Sequence, residues 1–390
     1  MKILFLARET PFPADSGVKM RAWLVLKSLA KTHEVSLICF GSEGSGLHPE
    51  LQTVCKQVHA VAPLAKGARR PYGKMLLGLL SSDPFAIRGR YSERYDQKVK
   101  EVLKNEGIGL IVCDSLYQAQ YVPEGEFKLL LNEHNIESVI IGRYAGVEKN
   151  PLKAAYARYE CNRMKQYEKS VWGRFKKILV CSDVDKREVK KRCPDAYVEV
   201  IPNGVNAPAA VENNEDSDTL VYTGLIGWHP NEDAVLYFAE SIFPLIKKER
   251  PSVQWSIVGK DPSVRVQALT KDRSISVTGF VEDINAYITT GAVIVVPLRI
   301  GSGTRLKILE AMSMKKAVVS TSIGCEGLRV SHGTDIMIAD TPEAFASNVL
   351  ELLNNEERRN ELGRNARALV ENEYTYPVIG KKIEEVLVDL

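Results

Sequence analysis

Apolar runs of four to six residues alternate with segments of helical periodicity along the whole 390-residue chain. Such runs suit parallel strands buried on both faces, and the segments between them suit the crossover helices those strands need. The fold class is therefore α/β. In the first half the predicted strands are 2–6, 35–40, 110–113, 128–132, 178–181 and 198–201, with helices between them, 18–31 included. In the second half they are 219–223, 254–258, 275–278, 293–296, 317–320 and 335–339. Helices are expected at 231–249, 262–270, 284–290, 342–353, 356–372 and 377–390. A single core rarely grows past about 250–300 residues, so two domains follow. The segment 207–218, APAAVENNEDSD, has no apolar periodicity and reads as a linker. It divides a first domain, 1–206, from a second, 219–376, and the last helix, 377–390, could return to the first.

A formal net charge of +3 is too small to argue for a nucleic-acid partner. The seven cysteines are scattered, with no CxxC pair, and read as reduced, buried thiols of a cytoplasmic protein. The start, MKILFLARETPFP, is too short for a signal-peptide core, and no run approaches the roughly 20 apolar residues that span a bilayer. Residues 66–80, KGARRPYGKMLLGLL, place basic residues before leucines, which fits either peripheral contact with the inner face of a membrane or a packed core with solvated charges. A second basic stretch, 152–177, interleaves tyrosines and faces acceptor, membrane or solvent. Asp183-Val184-Asp185 has the look of a metal-binding DxD, but it follows Ser182 at a strand-to-helix junction, where acids stabilise the helix dipole. No metal or cofactor is expected.

The segment Val293 to Gly327 reads as strand, glycine-rich turn, helix, strand and turn. Gly301 and Gly303 let backbone amides approach an anion, and a helix from Thr304 to Met312 turns its amino end toward it. Arg305 and Lys307 add positive charge, and Glu310 lies at a spacing that suits a sugar hydroxyl. This is a candidate phosphate cradle.

Taken in order, several motifs resemble the retaining glycosyltransferases of family 4. They are Ser16-Gly17 with Arg21, CSDVDKREV at 181–189, IPNGVN at 201–206, YTGLIGWHPNEDAV at 222–235, IVG at 257–259, TGFVEDI at 278–284, and GSGTRLKILEAM at 301–312. The resemblance implies the GT-B architecture, two facing Rossmann-like domains with parallel sheets, the second holding a nucleotide-sugar donor and the first taking a glycan or lipid-linked acceptor. It implies metal-independent sugar transfer with retained configuration, in which cations and amides stabilise the departing nucleoside diphosphate. Arg305, Lys307 and His134 are the catalytic candidates by that resemblance. Gly17, Gly224, Phe280, Val281, Gly301, Ser302, Gly303, Thr304 and Glu310 are the donor-binding candidates. The chain is similar to a subset in which Ser302 stands where the first of two glutamates is usual, and Leu225 to Trp228 stand where arginine and lysine are common. A nucleotide-sugar epimerase and a non-catalytic nucleotide-sugar-binding module are the alternatives.

Overall fold

The computed structural model describes residues 1–14, 16–41, 48–63, 83–209 and 215–387. The chain forms two compact units, Met1–Asn203 with Ile379–Leu390, and Gly204–Val378. Among the described residues the cysteines are all free, and only Cys193 is not fully buried. The stretch 66–80 and residues 210–214 of the expected linker lie outside the described residues.

The first unit holds seven strands, β1 (Lys2–Ala7), β2 (Glu34–Phe40), β3 (Gln57–Val61), β4 (Leu110–Asp114), β5 (Lys128–Asn132), β6 (Lys177–Val180) and β7 (Val198–Val200). They pair in parallel in the order β3-β2-β1-β4-β5-β6-β7. Side chains alternate across a strand, and β1 shows the result: Leu4 and Leu6 enter one apolar layer, Ile3, Phe5 and Ala7 the other. The second layer also receives Ile379, Ile383 and Leu387 from the helix Tyr376–Leu387.

The second unit holds β8 (Asp216–Thr223), β9 (Gln254–Val258), β10 (Ile275–Val277), β11 (Gly291–Val296), β12 (Ala317–Ser320) and β13 (Met337–Ile338). These are also parallel, in the order β10-β9-β8-β11-β12-β13. In both sheets the order reverses beside the first strand, and in open α/β sheets ligands bind outside the carboxyl ends of the strands at that point.

Four expectations need correction. The edge strand β3 was not foreseen. The helix expected at 231–249 runs as His229–Tyr237, a π turn Phe238–Ile242 and Phe243–Glu249. Pro244 has no N–H for the preceding turn, and the wider π turn takes up the mismatch. The helix expected from Thr304 begins at Leu306, because Arg305 keeps extended backbone angles as its N-cap. Finally β8 begins at Asp216, so the last three residues of the expected linker are strand.

Candidate active site

In the second unit the carboxyl ends of β8 and β9 are locked together through glycine. Thr223 and Val258 are register partners, so Gly224 and Gly259 emerge side by side, with φ of +150° and +149°. A Cβ on Gly224 would lie 2.9 Å from Lys307 Nζ and 3.1 Å from Asn231 Nδ2. The missing side chain therefore makes room for an ammonium group. Lys307, in the first turn of the helix Leu306–Ser313, donates to Tyr222 Oη and to Asn231 Oδ1, each at 2.9 Å. Tyr222 Oη itself donates to Asn231 Oδ1 at 2.7 Å, and Asn231 Nδ2 donates to the Leu225 carbonyl at 2.8 Å. The ammonium also lies 4.0 Å from the centroid of the Tyr222 ring.

All of these partners are neutral. Among the described residues no carboxylate forms an ion pair with Lys307, although Glu310 one turn on pulls weakly in its favour. Burial, and then the nearby Arg305 guanidinium, push the Lys307 pKa down to about 7. Burial also raises the Glu310 carboxyl, against the pull of Lys307. Two hydrogen bonds use two of the three ammonium protons. The third is left for an incoming acceptor.

The turn before this helix is tightly folded. Ser302, Thr304 and Arg305 are buried, and the Arg305 guanidinium donates to the carbonyls of Ser302 and Gly303. A Cβ on Gly301 would come within 2.9 Å of the Arg305 Cζ. Arg305 thus braces the glycine turn from within through its Nη1. Phe280 is 64% exposed, so it is no core residue, and the Lys260 ammonium sits 4.9 Å over its ring. Val281 is half-buried and packs on the core of this unit. Lys260 is held near Gly224 by its carbonyl, which accepts from Ile226 N at 2.9 Å.

In the first unit a buried polar chain joins β4, β5 and the helix Gly17–Ala30. Gly17 opens that helix, and Ser16 caps it by accepting from Lys19 N. Arg21 Nε donates to Asn132 Oδ1 at 2.9 Å, so the Asn132 amide must turn its Nδ2 the other way, where it donates to Asp114 Oδ1 at 2.7 Å. His134 Nε2 lies 2.8 Å from the same Asp114 oxygen. A carboxylate only accepts, so His134 carries its proton on Nε2. Arg21 also donates to the Ile201 carbonyl at 2.6 Å and to Asn203 Oδ1 at 3.2 Å. All four side chains of the chain are buried. Asp114→Ala strands two buried donors, and we expect a loss of about 2–6 kcal/mol in urea unfolding, each stranded donor costing about 1–3 kcal/mol; an unchanged midpoint contradicts the geometry.

Geometry thus brings Gly224 and Lys307 together, and Gly301, Ser302, Gly303, Thr304 and Arg305 into one turn. Gly17 and His134 belong to the other unit. Tyr222, Asn231, Asp114 and Asn132 were given no role by sequence. Tyr222 and Asn231 lie inside the quoted motif, and an aspartate closing the apolar run LIVCD was the available signal for Asp114. Asp185 is engaged by Ser182, which caps the helix Asp183–Arg192. Among the described residues no His, Cys, Asp and Glu group could hold a metal ion, and no helix is long and apolar enough to cross a membrane.

Residues 217–355 match the family described as glycosyl transferases group 1. The chain is 24% identical to an uncharacterized 44.6 kDa protein in the cps region of Klebsiella pneumoniae, in a match that covers 96% of each. Among solved structures it is similar to sucrose-phosphate synthase from Thermosynechococcus elongatus, with 15% identity, a TM-score of 0.74, and 99% and 98% of the two chains covered. It is likewise similar to Anabaena HepE in complex with UDP and glucose, with 15% identity, a TM-score of 0.65, and both chains covered in full. The fold is GT-B, and the match to glycosyl transferases group 1 lies within the second unit.

Proposed function

We propose that the protein transfers a sugar, with retained configuration, from a nucleoside-diphosphate sugar to a glycan or lipid-linked acceptor in cell-surface polysaccharide assembly. One observation carries the reading: the Lys307 ammonium, beside Gly224 at the carboxyl end of β8, is held by neutral acceptors and lacks a counter-ion among the described residues. A buried charge without a partner is costly, and a bound diphosphate supplies one. The same ammonium then opposes the charge that develops on the leaving diphosphate. Glu310 is the candidate for the nucleotide ribose and Phe280 for the base, while the turn 301–305 offers backbone amides to phosphate. HepE's complex with UDP favours a uridine donor, and the Klebsiella relative's cps region favours polysaccharide assembly. His134, fixed by Asp114, is the first unit's candidate for the donor sugar.

The test is a thermal-shift series with UDP, GDP, ADP and TDP and their sugars. At a hundredfold excess over Kd one of them stabilises the protein by about 2.7 kcal/mol, a shift of a few degrees. Absence of any such shift defeats the reading. Nucleoside diphosphate release that requires added glycan separates transfer from epimerisation and from binding alone.

A further inference from the structure

Arg8 follows β1 directly, and it is exposed. Tyr117, in the 3₁₀ turn Leu116–Tyr121 after β4, is buried at 6% exposure. The Arg8 Cζ lies 5.6 Å and the Arg90 Cζ 4.2 Å from the centroid of the Tyr117 ring. β1 and β4 are the two strands between which the order of the first sheet reverses, so this cluster sits where an open parallel sheet receives ligands. Among the described residues neither arginine forms an ion pair, and Arg8 makes no hydrogen bond. Arg90 gives one bond, to the Ala86 carbonyl at 2.9 Å. Glu137 opens the helix Glu137–Val147, and its carboxyl feels Tyr117, Arg90 and Arg8 electrostatically. Burial raises its pKa while Tyr117, then Arg90 and Arg8 resist, so it balances at most one of the two positive charges.

We propose that Arg8, Arg90, Tyr117 and Glu137 form a binding site for an anionic saccharide, one that carries a phosphate or carboxylate close to the hydroxyl to be glycosylated. The two guanidinium groups offer donors that match the planar faces of either anion, and Glu137 and Tyr117 offer partners for sugar hydroxyls. In the reaction this saccharide is the acceptor; that role rests on the transfer reading above, whereas the binding itself does not.

The experiment is calorimetric titration of the full chain, saturated with UDP, using glucose 6-phosphate, glucuronic acid, a short-chain prenyl-phosphate-linked glucose in detergent, and methyl glucoside as the neutral control. At least one anionic probe should bind saturably and the neutral one at least tenfold more weakly, since charge-assisted contacts are the stronger ones. The preferred probe tells a soluble sugar phosphate from a uronic acid or a lipid-linked acceptor. Arg8→Ala and Arg90→Ala should each weaken that probe about tenfold or more, with UDP affinity unchanged and Arg8→Lys intermediate. Equal affinity for neutral and anionic probes, no saturable binding of any anionic probe, or indifference to both arginine substitutions overturns the proposal. Failure of UDP to bind wild type, with probe binding intact, would instead defeat the transfer reading alone.

Discussion

Lys307→Met is expected to lower sugar transfer by about a hundredfold to a thousandfold, the range seen when one preorganised donor is removed from a charge-stabilising site. It should do so without harming the fold. In the free protein the lysine pKa is lowered to about 7, so folding disfavours its charge. The resulting stability deficit is fully present below pH 7 and fades as pH rises toward the unfolded value near 10.5. Methionine removes that deficit, and Tyr222 keeps its bond to Asn231, so the melting temperature at pH 7 should hold or rise. Donor binding carries the opposite sign. A diphosphate favours the ammonium and raises its pKa, so affinity is greatest below about pH 7 and falls, by up to tenfold per unit, as pH increases beyond it. Calorimetry of UDP-glucose at pH 8 in buffers of different ionisation enthalpy should register uptake of close to one proton per donor, and none in Lys307→Met. Equal proton uptake by both proteins would remove Lys307 from the donor site. Arg305→Ala should also cut turnover about a hundredfold, but through the turn it braces: Arg305→Lys, whose ammonium lacks the planar guanidinium packed against Gly301, should not rescue it.

Gly259→Ala is expected to be the most damaging single methyl group in the second unit. At φ of +149° an L-residue is strained, and the new Cβ would overlap the Gly224 carbonyl oxygen and approach Ile226 Cγ1 to 3.3 Å. The overlapped atom is backbone, so the β8 and β9 ends must part. We expect a loss of about 3–4 kcal/mol in urea unfolding, the upper range for one substitution, and weakened donor affinity in the protein that remains folded, because Gly224 adjoins the Lys307 ammonium. Gly380→Ala is the control. A Cβ there meets nothing within 4 Å inside the helix Tyr376–Leu387, and it should stabilise by about 0.5–1 kcal/mol. Similar midpoints for the two variants would refute the collision.

How much of this was legible in the sequence varied by element, for physical reasons. β11, GAVIVV, and β4, LIVCD, are buried at every position, so an unbroken apolar run announces them. β3, QVHAV, lies at the edge of its sheet and only Val61 is fully buried, which leaves no periodic signal. The glycine turn and its cations were visible in the string 301–307, but the direction of Arg305 was not, because the backbone angles that make it an N-cap arise in the folded turn. The Asp114 to His134 contact was hidden for another reason. Asp114 and Asn132 meet because they are register partners at the ends of β4 and β5, and Arg21 reaches Asn132 across 111 positions of sequence. Strand register is a tertiary outcome, so the motif Arg21 belongs to hinted at importance without naming its partners.

Ile379, Ile383 and Leu387 complete an apolar layer that otherwise begins at Ile3. During synthesis these aliphatics emerge only after Gly204–Val378, so that layer of the amino-terminal sheet stays open while the whole intervening unit leaves the ribosome. With burial of one such side chain contributing about 1.5–3 kcal/mol, a polypeptide halted after Asn203 would be left with a gap that nothing nearby can fill.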